Sequence, residues 1–172
     1  MKGLKIVLFL AVILAILATK FYGLPSSQPK SFPSRGALNG YLPLETFKHQ
    51  FNEVSSLNIR DMQLLQDDSV TTSYLYSFTS DLALSLLVEN STGSVIEVIL
   101  VTTLDPENRP FMENTVYACD PSLSQEERAQ IVSDLVQSPH FIKNKDSTVI
   151  KNQILYRLQE YGSYVKLSAE PI

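Results

Sequence analysis

The sequence predicts an α+β domain, an antiparallel sheet with helices packed on one face, preceded by an N-terminal hydrophobic anchor or signal helix. Three observations lead there. Stretches with strand alternation and stretches with helical spacing come in blocks rather than one by one, so no parallel strand-helix-strand sheet is implied. Past the N-terminus, no apolar run approaches the length of a membrane span. A single cysteine, Cys119, excludes an internal disulfide framework, so the domain must be held by a hydrophobic core.

The N-terminus comes first. Lys2 and Lys5 lead into thirteen uninterrupted apolar residues, Ile6 to Ala18, the charged start and apolar middle of an export signal. Adding Phe21-Tyr22-Gly23-Leu24 lengthens this block towards the ~20 residues of a true span. Ile16 and Phe21 occupy the places where cleavage after Ala18 or Gly23 would want small side chains, which favours an uncleaved anchor over a cleaved signal peptide. Lipidation needs a cysteine just after the apolar run, and there is none. Residues 1–24 therefore read as a signal-anchor or signal peptide, with the N-terminus inside and the domain exported. Residues 25–42 read as a Pro/Ser-rich linker, carrying Pro25, Pro29 and Pro33 and no periodicity, and residues 43–172 as the globular domain. An extended linker spaces a domain at ~3.1 Å per residue and is the first place a protease cuts.

The domain opens with Leu44, Phe47, Phe51 and Val54 at helical spacing, with Pro43 suited to a first helical position. Strands are expected over Asn58–Leu65 and Val70–Thr79, turning at Asp67-Asp68. Leu82–Glu89 and Ser94–Thr103 are apolar at nearly every position and read as a central hairpin covered on both faces. Their turn, Asn90-Ser91-Thr92-Gly93, fits a glycosylation sequon, though turn chemistry accounts for those residues. A short helix is expected over Phe111–Ala118, ended by Pro121. A second begins at the capping box Ser124-Gln125-Glu126-Glu127 and stops at Gln137-Ser138-Pro139. Ile154, Tyr156 and Leu158, then Val165, Leu167 and Ala169, predict a final hairpin with one buried face, with a short extra strand near Val149. A cystatin-like arrangement, one helix gripped by a curved sheet, is a special case of this order by analogy.

Charge divides the chain sharply. Residues 1–42 hold five Lys and Arg and no acid, whereas residues 43–172 hold nine against eighteen Asp and Glu, a net charge of −9. Such a domain gains nothing from displacing counterions on a phosphate backbone, so no nucleic-acid partner is expected. Phe47-Lys48-His49-Gln50-Phe51-Asn52, Gly93-Ser94-Val95-Ile96-Glu97-Val98 and Leu123-Ser124-Gln125-Glu126-Glu127-Arg128 together resemble small exported bacterial proteins of unassigned function, over residues 47–136. The resemblance implies a bacterial envelope location and carries over no catalytic residue.

Only His49 and His140 are present, so a catalytic triad or a His-rich zinc site is unsupported. His49 and Glu53, four apart on one helix, make half a metal site or an exposed ion pair. Cys119, flanked by Tyr117, Ala118 and Asp120, reads as a buried inert thiol. Tyr74, Tyr76 and Phe78 form a stripe that is either sheet core beneath the first helix or a candidate interaction surface. No catalytic or metal residue, cofactor or small-molecule ligand is assigned. The leading expectation is a membrane-tethered, non-enzymatic binding or assembly module of the cell envelope, with the domain in the periplasm or extracytoplasmic space and another envelope protein as partner. A secreted form after cleavage is the alternative location. A periplasmic immunity or inhibitor protein, its acids opposing a basic active site, is the alternative function. A small hydrolase using carboxylates such as Asp61, Asp81 or Asp105 is the lesser one.

Overall fold

The computed structural model describes residues 36–172; the expected anchor and the first part of the expected linker lie outside the described residues. Helix α1 (Leu44–Val54) follows its apolar spacing, with Phe47 and Phe51 wholly buried and Glu45 paired to Lys48 at 2.9 Å on the outside. Pro43 stands at its N-cap, one place before the expected first helical position. The next strand starts later than expected. Asn52 accepts the Ile59 N–H at 2.6 Å and donates to the Ile59 carbonyl at 2.9 Å, which holds the chain after α1 in a clasp, and β1 is Gln63–Asp67.

Strands β2 (Thr71–Ser77), β3 (Ala83–Glu89) and β4 (Ser94–Thr102) continue as an antiparallel meander. Asp68 makes the first turn by accepting the Val70 and Thr71 N–H groups, each at 2.7 Å, and those bonds hold its carboxyl below the usual carboxylate range. Gly93, at φ +69°, supplies the left-handed residue that the β3–β4 turn requires. The Asn90 side chain is engaged there: it donates to the Asp68 carbonyl at 2.7 Å and pairs with the Thr72 hydroxyl at 2.7 Å, tying the two turns together.

A 3-10 turn (Pro106–Asn108) then leads to α2 (Arg109–Cys119), α3 (Gln125–Gln137) and a short α4 (Pro139–Asn144). The capping box is formed as expected, with Ser124 Oγ accepting the Glu127 N–H at 3.2 Å and Glu127 accepting the Ser124 N–H at 3.0 Å. Pro139 does end α3, but it also opens α4, which the sequence reading treats only as a stop. The strand near Val149 is β5 (Asp146–Lys151), paired along its length with β6 (Ile154–Tyr161), and β7 (Tyr164–Pro171) follows.

The seven strands lie in the order β1-β2-β3-β4-β7-β6-β5, every neighbour antiparallel. Two meanders thus meet at a β4–β7 seam, running from Val98 opposite Ala169 to Thr102 opposite Val165. One face packs against the helices: Phe47, Phe51, Met112, Val116, Val132 and Leu135 share a single core with Leu84, Leu86, Leu100, Leu158 and Leu167. The α+β architecture is therefore as expected. The second face carries a smaller apolar cluster of Leu75, Ala83, Ile99, Val101 and Tyr164, to which no helix contributes among the described residues.

Two boundaries differ from expectation. Residues 37–42, expected at the end of the linker, pack into the domain: Leu38 and Leu42 are buried, Leu38 donates its N–H to the Cys119 carbonyl at 2.8 Å, and Leu42 receives the Val95 N–H at 2.8 Å. Their apolar side chains find partners distant in sequence, which local composition does not register. The C-terminal hairpin was expected to bury one face. Strand β6 does so, but β7 also buries Lys166 and Ser168, because it lies in the middle of the sheet beside β4.

Candidate interaction surface

Tyr74, Tyr76 and Phe78 lie on the helix-covered face of β2 and its extension, half-buried against the main core. Phe78 is the inner member. Its ring stacks on Phe51 at 5.5 Å, meets Phe111 at 6.2 Å and makes a T-shaped contact with Tyr76 at 4.8 Å. Tyr74 lies further out and pairs across the strands with Leu64, which is 59% exposed. Because β1 is an edge strand, nothing among the described elements continues the sheet beyond it, and Val54 and Leu57 at the end of α1 are also exposed. The stripe is thus divided: Phe78 fills core, while Tyr74 and Tyr76 carry that core to the surface beside an open strand. Leu64 is missing from the sequence reading, though the adjacent pair Leu64-Leu65 in a strand already implies one leucine on each face.

The other candidates are dispersed. His49 and Glu53 line an open groove of about 570 Å³ with Glu45, Gln50, Tyr117 and Pro121. Arg128 sits 4.7 Å above the Tyr117 ring, and the Tyr117 hydroxyl donates weakly to Glu53 at 3.4 Å. Loss of hydration, followed by the Glu53 charge, raises the Tyr117 hydroxyl pKa. Among the described residues no three His, Cys, Asp or Glu side chains gather as a metal site. Asp81 accepts from Tyr164 Oη at 3.2 Å, Asp105 accepts from Thr103, and Asp61 stands exposed before β1. No hydrogen bond joins any two of these three. Cys119 is fully buried, and burial, then the Asp120 charge, pushes its thiol pKa far upward, away from the thiolate a nucleophile needs.

What the described surface can do chemically is bind by contact. The Tyr74, Tyr76 and Leu64 flank offers rigid aromatic area next to β1, whose outer edge pairs with no strand among the described residues. Comparison with protein families, characterised proteins and solved structures finds no match. No helix among the described residues is long and apolar enough to cross a membrane.

Proposed function

We propose that this protein is a membrane-tethered, non-enzymatic binding or assembly module of the bacterial envelope, anchored by residues 1–24 and presenting its acidic domain outside the cytoplasm. The observation that carries the reading is the aromatic flank at the β1 edge, where Tyr74 on β2 stands opposite exposed Leu64 on β1, a strand that no described strand pairs on its outer side. An extended segment of a partner can add to β1 and set an apolar side chain against Tyr74 and Tyr76. The domain's charge of −9 favours a partner with basic groups around that contact. In finer terms, the helices laid on one face of an antiparallel sheet support a cystatin-like likeness in layer order.

A photoreactive residue in place of Leu64, activated in intact cells, tests it. The expected result is one discrete adduct with an envelope protein, weakened by Tyr74→Ser, and none from the same group in place of Ile150 on the opposite edge. Adducts of equal yield from both edges, or none from either, would overturn the reading. The tether is tested apart from this by an alkaline wash, which should leave the chain in the membrane pellet.

A further inference from the structure

The edge strand carries an irregularity that sorts its side chains. Pairing between β1 and β2 sets Gln63 opposite Leu75 and Leu64 opposite Tyr74, then slips by one residue, so that Gln66 meets Ser73 and Asp67 meets Thr72. Leu65 is the extra residue of this bulge. Its consequence is a change of parity. Tyr74 and Thr72 are two apart on β2 and point to one face, which places Leu64 and Asp67, three apart on β1, on that same face. The contacts agree: Tyr74 packs against the helix-side core, Leu65 packs against the cluster on the second face, and Asp67 Oδ1 accepts the Thr72 hydroxyl at 2.7 Å. Leu64 and Asp67 are both exposed. The helix-side rim of β1 therefore shows one apolar and one acidic side chain about 7 Å apart, two residues of strand at ~3.3 Å each.

We infer that the partner segment this edge takes is an antiparallel strand that reads basic residue, any residue, apolar residue, with its Lys or Arg against Asp67 and its apolar side chain against Leu64 and Tyr74. The spacing follows from the bulge. A regular strand turns to one face only residues an even number apart, and two residues span the ~7 Å between Leu64 and Asp67. Direction follows from the sheet, in which every pair of neighbours is antiparallel, so an incoming strand of the same sense passes Asp67 before Leu64. Charge sets the sign. Asp67 and Asp68 close β1 with no Lys or Arg between Asp61 and Val70, whereas Asp61, before the strand, has Arg60 beside it in sequence. A cation is thus favoured at the Asp67 end and offset at the other. Asp68 is held in the turn by the Val70 and Thr71 N–H groups, which leaves Asp67 as the carboxylate on the strand itself. A second copy of the domain, itself at −9, has the wrong overall sign for this rim.

The inference rests on the edge-binding reading and narrows its partner to one sequence pattern. The full chain in phosphatidylcholine vesicles, whose surface has no net charge, is titrated with the dye-labelled peptide Thr-Val-Thr-Lys-Thr-Leu-Thr-Val-Thr. Replacing the peptide's Lys by Glu should weaken binding on the order of 5-fold, and exchanging its Lys and Leu should weaken it comparably. The difference between the Lys and Glu peptides should vanish near about 1 M salt, where the screening length is ~3 Å. Asp67→Lys should reverse the preference, while Asp67→Asn, which keeps an acceptor for the Thr72 hydroxyl, should bind the two peptides alike. Equal binding of the Lys and Glu peptides by the unaltered chain, no loss on exchanging Lys and Leu, or a preference that Asp67→Lys leaves unreversed would overturn the pattern. If the photoreactive group at Leu64 still captures one envelope protein in that event, the edge reading stands and only the pattern falls. If no peptide binds and no adduct forms, both fall.

Discussion

Tyr156 is the largest of the fully buried side chains, and its hydroxyl finds no hydrogen-bond partner among the described residues. Burial, with Cys119 and Asp120 nearby, drives its pKa far upward, so it stays a neutral phenol. A buried hydroxyl without a partner costs its hydration and returns nothing. Tyr156→Phe is therefore expected to leave stability unchanged or raise it by about 1 kcal/mol, read as a higher urea midpoint at unchanged slope. Asp120, next to it, is the opposite case: it accepts from Asn152 Nδ2 at 2.7 Å and from Ser122 Oγ at 2.6 Å and so fixes the end of α2 against the β5–β6 turn. Sequence shows Tyr156 as a core residue through its alternation with Ile154 and Leu158. The missing partner is invisible there, because it depends on which neighbours three-dimensional packing supplies.

Helix α3 shows what a local signal can and cannot say. Its start is written in four residues, Ser124 to Glu127, and Glu127 also reaches Lys151 on β5 at 3.0 Å. Backbone hydrogen bonding from Ser124, then the bond from Lys151, holds the Glu127 carboxyl below its usual range. Ser124→Ala is expected to cost about 1 kcal/mol in chemical denaturation, with the sheet intact. The capping box, α1 and the β3–β4 hairpin were legible because each is set by neighbours within a few residues. The docking of Leu38 and Leu42 was not, since those residues look like linker until Cys119, Ser94 and Val95 are brought to them. The short α4 was equally hidden, as Pro139 signals both an end and a beginning. At the candidate surface the sequence reached the Tyr74, Tyr76 and Phe78 stripe but not its division into core and rim, which depends on how far the helices extend over β2.

At the scale of the molecule, the sheet is braced at its β5 edge by charge. Arg157 donates to both oxygens of Asp146, through Nε at 2.9 Å and through Nη2, and this pairing lowers the Asp146 pKa and raises that of Arg157. A depressed carboxylate contributes stability that is present above its unfolded value near 4 and is lost as pH falls through the lower folded value. Both partners are about a third or more exposed, so water screens much of the gain. The urea midpoint is expected to hold level from pH 7 to 5 and to fall below about pH 4, with a shallower fall in Arg157→Gln. An unchanged acid limb in that variant would remove Asp146 from the account. The sheet order itself was beyond the sequence, because strand alternation says which face a residue takes and not which strand lies alongside.

The β4–β7 seam bears on when the protein can fold. Strand β7 is the last of the described elements and yet fills the place between β4 and β6, so the first meander keeps a bare, apolar edge until Val165 to Ala169 arrive. Contacts this distant in sequence form late and slowly, because the intervening loop must close before any pairing rewards it. A chain emerging from a ribosome or through a narrow pore thus remains threadable until β7 has emerged. A chain ending at Ser163 should show no protected amides on β4 in hydrogen exchange, while the full chain should; slow exchange there in the shortened chain would mean that the first meander closes unaided. Closure of the sheet is in this sense a signal that β7 itself has arrived.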